Sequence, residues 1–164
     1  MGAAYIIVGT TGTGKTTFVK ERLKKVKLNA LYLYDVNREY TEFKNEPLPK
    51  FDNFLLKATS LKNAVMVFEE ATIFFGNKSS SHEMTELLVR KRHTNNTIFL
   101  VFHSLRAIPR NIMELVNGVF LFYTVDSSSL VDQKFKNEKL NDVFEGVQKE
   151  YGENKYYYEF LKTN

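Results

Sequence analysis

The chain has 164 residues, enough for one domain with a sizeable core, and its apolar content and many Phe and Tyr residues exclude a disordered chain. It contains no cysteine, which excludes disulfides, thiol catalysis and cysteine-based zinc sites, and His82, His93 and His103 lack metal-ligand spacing. The net charge of +4 permits a nucleic-acid partner without requiring one.

Ala4 to Val8 reads as a short buried strand and Lys15 to about Val26 as a helix. Between them Gly9-Thr10-Thr11-Gly12-Thr13-Gly14-Lys15-Thr16 fits G-x-x-x-x-G-K-[ST] at all four fixed positions. A strand entering a helix through such a turn is what anion binding needs. The glycines let backbone N–H groups close around a phosphate, and the helix start adds unpaired donors and partial positive charge. The expected ligands are ATP and Mg²⁺: the loop and Thr17 hold the phosphates, Lys15 reaches the β- and γ-phosphates, and the Thr16 hydroxyl holds the metal. The opening apolar run is too short for a membrane span and lacks the marks of a signal peptide. Met1-Gly2 is followed by Ile6 where a myristoylation motif requires Ser or Thr. The expectation is a soluble intracellular protein with no membrane span of its own.

The first helix ends in a basic run, Lys20, Arg22, Lys24, Lys25 and Lys27, which suits a helix C-terminus. Ala30 to Tyr34 is the second predicted strand, closed by Asp35 and the polar turn Asp35-Val36-Asn37-Arg38-Glu39-Tyr40. In Thr41 to Asn63, Pro47 and Pro49 mark a loop, flanked by Lys44 and Lys50. Phe51, Phe54, Leu55 and Leu56 are expected to pack back on the core, at most through a short helical turn.

Ala64 to Phe68 is the third predicted strand, apolar on both faces as a covered parallel strand is, and it ends in Glu69-Glu70. Gly76 to Ser81 reads as a flexible polar loop carrying Lys78. A serine of that loop is expected to cap the following helix, with Glu83 or Glu86 in its first turns and Arg90-Lys91-Arg92-His93 near its end. The fourth strand is Thr97 to Phe102, closed by His103. Pro109 opens a short helix, and Val119 to Tyr123 is the fifth strand. Leu130 to Val147 reads as helical and Tyr156 to Leu161 as an edge strand. Alternating strands and helices predict an α/β fold, a three-layer sandwich with a mainly parallel central sheet, in a single domain spanning residues 1–164. Ligands bind at the carboxyl ends of such strands, where the Gly-rich loop, Asp35, Glu69-Glu70 and His103 all fall.

Val65-Met66-Val67-Phe68-Glu69-Glu70 has the form of a Walker B segment: Glu69 can serve the Mg²⁺ shell and Glu70 can orient or deprotonate a water. Glu69 stands where Asp is commoner, and its extra methylene suits contact through a water. The bland alternative is two solvated glutamates. His103 can contact the attacking water or γ-phosphate, or be an ordinary capping or core histidine. Arg90-Lys91-Arg92 is either a solvated helix end or the source of an arginine finger for a neighbouring subunit.

Taken together, four segments resemble the FtsK–HerA superfamily of DNA-pumping ATPases. They are Gly9 to Thr16; Asp35 to Tyr40, similar to the D-P-x-G-E-Y turn of HerA-like proteins with Val36 and Arg38 replacing Pro and Gly; Val67 to Ala71; and Arg92-His93 leading to His103, where zonula-occludens-toxin-like phage proteins and viral packaging ATPases usually carry Gln. The resemblance covers roughly Ala4 to Tyr123. It implies a ring, by family habit a hexamer, that hydrolyses ATP at subunit interfaces and moves double-stranded DNA, with Arg92 or Arg90 as the finger supplied in trans. It also implies a virus setting, with capsid or vertex proteins as partners in the host cytoplasm or at the virion vertex. A nucleotide or small-molecule kinase, and a nucleotide-binding assembly or secretion component, are the competing readings.

Overall fold

The computed structural model describes residues 2–26, 30–43, 51–76 and 78–163. Among these residues six strands form one sheet: β1 Ala3–Val8, β2 Leu31–Tyr34, β3 Val65–Phe68, β4 Thr97–Phe102, β5 Gly118–Phe122 and β6 Tyr158–Lys162. Their order is β2-β3-β4-β1-β5-β6; the first five are mutually parallel and β6 pairs antiparallel with β5. The helices are α1 Lys15–Lys25, α2 Phe51–Ser60, α3 Lys78–Thr94, α4 Ser128–Phe135 and α5 Glu138–Glu150.

Side chains alternate across the sheet as the strand period of two requires. Ile6, Val8, Met66, Phe68, Leu100 and Phe102 face a large core with α2, α3, α4 and α5. Ile7, Leu33, Val67 and Val101 face a smaller one with Phe18, Val19 and Leu23 of α1. The expected three layers are present but unequal, because among the described residues α1 is the one helix on its side. Toward β6 that face thins out, and Phe160 is 46% exposed.

Three segments depart from the expectation. The region given to a loop before β3 contains a ten-residue helix, α2. Phe54, Leu55 and Ala58 form its buried stripe, while Leu56 turns outward, 67% exposed. Pro47 and Pro49 lie outside the described residues, as do Lys44 and Lys50. The serine run is likewise helical. A 3-10 turn, Ala71–Phe75, follows β3, and α3 begins at Lys78. Ser80 is buried within α3, Lys78 is an exposed helical residue, and no acidic residue lies in the first turn. Finally, the helix expected over Leu130 to Val147 is two helices. Lys136 takes a left-handed φ of 49°, and the Asn137 side chain caps α5 by accepting from Leu140 N at 3.0 Å. Among the described residues, no helix is long and apolar enough to cross a membrane.

Candidate active site

The strand order decides where the chemistry meets. With β4 inserted between β1 and β3, the end of β4 stands between the loop after β1 and the two acids after β3. Gly9 N donates to Phe102 O at 3.2 Å and Thr10 N to Tyr123 O at 2.7 Å, so the start of the Gly9–Thr16 loop is tied to the ends of both flanking strands. A Cβ at Gly9 would lie 2.5 Å from Phe122 Cβ, which leaves no room for a side chain. Gly12 and Gly14 turn through φ of 84° and 92°, the left-handed region that glycine enters without a Cβ penalty. Gly14 is also the N-cap of α1 and offers no side-chain acceptor, so the amides of the first turn are left to an anion.

Inside the loop the Thr13 hydroxyl donates to Thr10 O at 2.8 Å, and the Lys15 ammonium donates to the same carbonyl at 2.9 Å. Lys15 is 5% exposed. Burial pulls its pKa below the ordinary lysine value, against the pull of Glu69, Glu70 and Glu39.

The acids form the opposite wall. Glu69 is buried at the end of β3 and accepts a short hydrogen bond from the Tyr40 hydroxyl. Burial raises its carboxyl to about 7, partly opposed by that bond. The reading of two solvated glutamates therefore fails for Glu69. Glu70 adopts a left-handed φ of 55° that turns its carboxylate toward β4, where His103 Nε2 lies 2.6 Å from Oε1. Asp35 does not reach the cleft. Its two carboxylate oxygens accept from Glu39 N and Tyr40 N, each at 2.9 Å, and so shape the turn that delivers both residues. Glu39 Oε2 then lies 3.4 Å from the Thr16 hydroxyl. Together Thr11, Gly14, Lys15, Thr16, Thr17, Glu39, Glu69, Glu70 and His103 line a cleft of about 520 Å³.

No protein-family model matches the chain, and no curated protein matches it in sequence. Solved structures do match. The genome packaging NTPase B204 from Sulfolobus turreted icosahedral virus 2, in complex with AMPPCP, superposes with a TM-score of 0.79 at 18% identity, covering 99% of this chain and 93% of that one. B204, described as the DNA-packaging ATPase from Sulfolobus Turreted Icosahedral Virus, gives 0.71 at 16% with the same coverage. The N-terminal domain of zonular occludens toxin from Neisseria meningitidis gives 0.52 at 13%, covering 73% of this chain and 76% of that one. The fold is that of P-loop NTPases. This is the fold that the resemblance of the four sequence segments implies.

Within the P-loop NTPase fold, the arginines of the basic cluster are remote from their own cleft. Ala3 N donates to Asn96 O at 2.9 Å, which places the α3–β4 turn beside the beginning of β1, at the sheet edge opposite the site. Arg92 is exposed on the last turn of α3; Arg90 pairs with Glu86 at 2.8 Å. Lys91 is buried, donating to Leu88 O at 3.0 Å and Leu115 O at 2.7 Å. Among the described residues Lys15 is the sole lysine or arginine lining the cleft.

Asn37 and Tyr156 also line the cleft, and sequence reasoning missed both of them as well as Glu39. The acidic turn was visible, but nothing in it says that Asp35 holds the backbone while Glu39 faces Thr16. Tyr156 carries no local signal, since it arrives from a distant turn.

Proposed function

We propose that the chain, as a single domain, is the motor of a viral genome-packaging ATPase, a homo-oligomeric ring that hydrolyses ATP to move double-stranded DNA into a preformed capsid. The observation that carries this reading is the Glu70–His103 pair, 2.6 Å apart, facing the Gly9–Thr16 loop across one cleft. A phosphate-binding loop alone suits a kinase equally well. A strand-end carboxylate oriented by an imidazole on the adjacent strand suits activation of water. The fold shared with B204 supports the packaging setting.

In this mechanism Lys15 exchanges the Thr10 carbonyl for the β- and γ-phosphate oxygens, and the loop amides hold the rest of the chain of phosphates. The Thr16 hydroxyl, Glu39 and Glu69 supply hard oxygen donors on one side, and Glu69, held near 7 by burial, is a carboxylate that a cation would restore to its ionised form. These residues suit Mg²⁺, which would neutralise charge developing on the phosphates. Glu70 accepts a proton from the attacking water while His103 fixes the carboxylate's direction. The water oxygen bonds to the γ-phosphorus, the bond from that phosphorus to the β–γ bridging oxygen breaks, and ADP leaves. Arg92 of a neighbouring subunit supplies a second cation beside Lys15. The ring works with capsid or vertex proteins, in the host cytoplasm or at the virion vertex.

Product analysis tests this. With ATP and Mg²⁺ the reading expects ADP and free phosphate in equal amounts, and a rise in solution mass with an ATP analogue. Stoichiometric phosphorylation of a nucleotide or small-molecule acceptor would select the kinase reading instead.

A further inference from the structure

Beside the phosphate cleft lies a second cleft of about 420 Å³, whose lining includes Thr17, Glu21, Phe122, Tyr156 and Tyr158. The two clefts share Gly14, Thr17 and Tyr156, so a ligand can extend from one into the other. Tyr156 comes from the turn between α5 and β6, where Asn154 Oδ1 accepts from Tyr156 N at 3.0 Å and Asn154 O from Tyr157 N at 3.0 Å. A Cβ on Gly14 would stand 3.1 Å from Tyr156 Cδ1 and 3.9 Å from both Cγ and Cε1. One near atom with two equidistant atoms behind it describes a ring meeting the loop by its edge, which leaves the ring faces clear of the loop. Tyr156 is accordingly 56% exposed. The Lys155 ammonium lies 4.8 Å from its centroid, where the ring quadrupole attracts a cation.

The direction of a bound nucleotide follows from charge. Glu39, Glu69, Glu70 and His103 occupy the end of the cleft where metal, water and γ-phosphate belong under the function proposed above, on which this inference rests. The nucleoside must leave at the other end, past Thr17 and Tyr156. We propose that Tyr156 is the platform on which the nucleobase stacks, with the second cleft receiving the base and ribose. Gly14 then has two tasks: it takes the left-handed turn, and it gives the ring its seat. Stacking uses the π-face common to all bases, so the contribution of Tyr156 is similar for ATP and GTP.

The test is equilibrium binding of AMPPCP, the corresponding GTP analogue and inorganic tripolyphosphate, each with Mg²⁺, to wild type, Tyr156→Ala and Tyr156→Phe. Tyr156→Ala is expected to weaken both nucleotides about tenfold and to leave tripolyphosphate within twofold, while Tyr156→Phe retains wild-type affinities. The chain has no tryptophan, so Tyr156→Trp adds a single probe, expected to be quenched by the nucleotides and not by tripolyphosphate. Unchanged nucleotide affinity in Tyr156→Ala, or equal weakening of tripolyphosphate, overturns the stacking role. Failure of wild type to bind either tripolyphosphate or nucleotide overturns the functional reading beneath it.

Discussion

Glu70 and His103 touch each other across two strands, and their chemistry separates the competing functions most sharply at the level of single residues. Glu70→Gln keeps the shape and removes the base. It should bind ATP as wild type does and lose at least about a hundredfold in turnover, the usual contribution of a general base. A variant hydrolysing ATP at the wild-type rate would remove Glu70 from the mechanism. His103→Gln restores the residue that the resembling ATPases usually carry and still donates a hydrogen bond, so it should retain more turnover than His103→Ala in steady-state phosphate release. Glu69 makes a prediction about stability. Its folded pKa, about 7, lies above the ordinary carboxylate value because burial disfavours the charge. The folded chain therefore holds that proton more tightly than the unfolded chain. The resulting stability is full below about pH 4.5, falls as pH rises toward about 7, and is level above it, a change of up to about 3 kcal/mol. Glu69→Gln lacks this slope. In thermal melts without nucleotide or divalent metal, the variant should gain on wild type between pH 5 and 7; parallel profiles would show that Glu69 stays ionised through Tyr40 and Lys15.

At the level of elements, the parallel strands were legible because each is a continuous apolar run between turn signals, and the site edge was legible because its acids and its loop sit where such strands end. Element type failed where a local signal was outvoted by packing. Ser79, Ser80 and Ser81 favour caps and turns by propensity, yet α3 carries them because Met84, Leu87 and Leu88 bury its other turns. In α2, a three-residue apolar stripe suffices once Phe54 stacks on Tyr32 with centroids 4.2 Å apart. The long helix expected after β5 breaks at Asn137, a capping residue that the apolar pattern alone passes over. The turn after β2 depends on one side chain. Asp35→Ala removes both acceptors for Glu39 N and Tyr40 N. It should cost about 1–3 kcal/mol in denaturant unfolding, the penalty for buried donors left unpaired, and weaken Mg²⁺-dependent nucleotide binding as Glu39 loses its position. Wild-type binding in a destabilised Asp35→Ala protein would detach Glu39 from the site.

For the whole molecule, the separation of Arg92 from the cleft matters most. The cleft holds Lys15 and the acids, while Arg92 is exposed at the far edge of the same sheet. In a ring that edge can face the next subunit. Arg92→Ala should then lower turnover by about a thousandfold or more, as loss of an arginine finger does. Mixing it with Glu70→Gln should restore part of the activity, because some interfaces combine an intact Glu70 from one chain with an intact Arg92 from the other. Full activity of Arg92→Ala alone would exclude it from the site. Residue patterns alone did not separate the members of the cluster: Arg90-Lys91-Arg92 looks uniform in sequence, whereas in the fold Arg90 is paired, Lys91 is buried and Arg92 is exposed. The central claim is that the site hydrolyses ATP in service of duplex DNA, and steady-state phosphate release with and without long double-stranded DNA, at salt low enough to permit phosphate contacts, tests it most directly. The expected result is a rate stimulated several-fold by duplex in wild type and abolished in Glu70→Gln; an identical low rate with and without DNA in the assembled protein would contradict it.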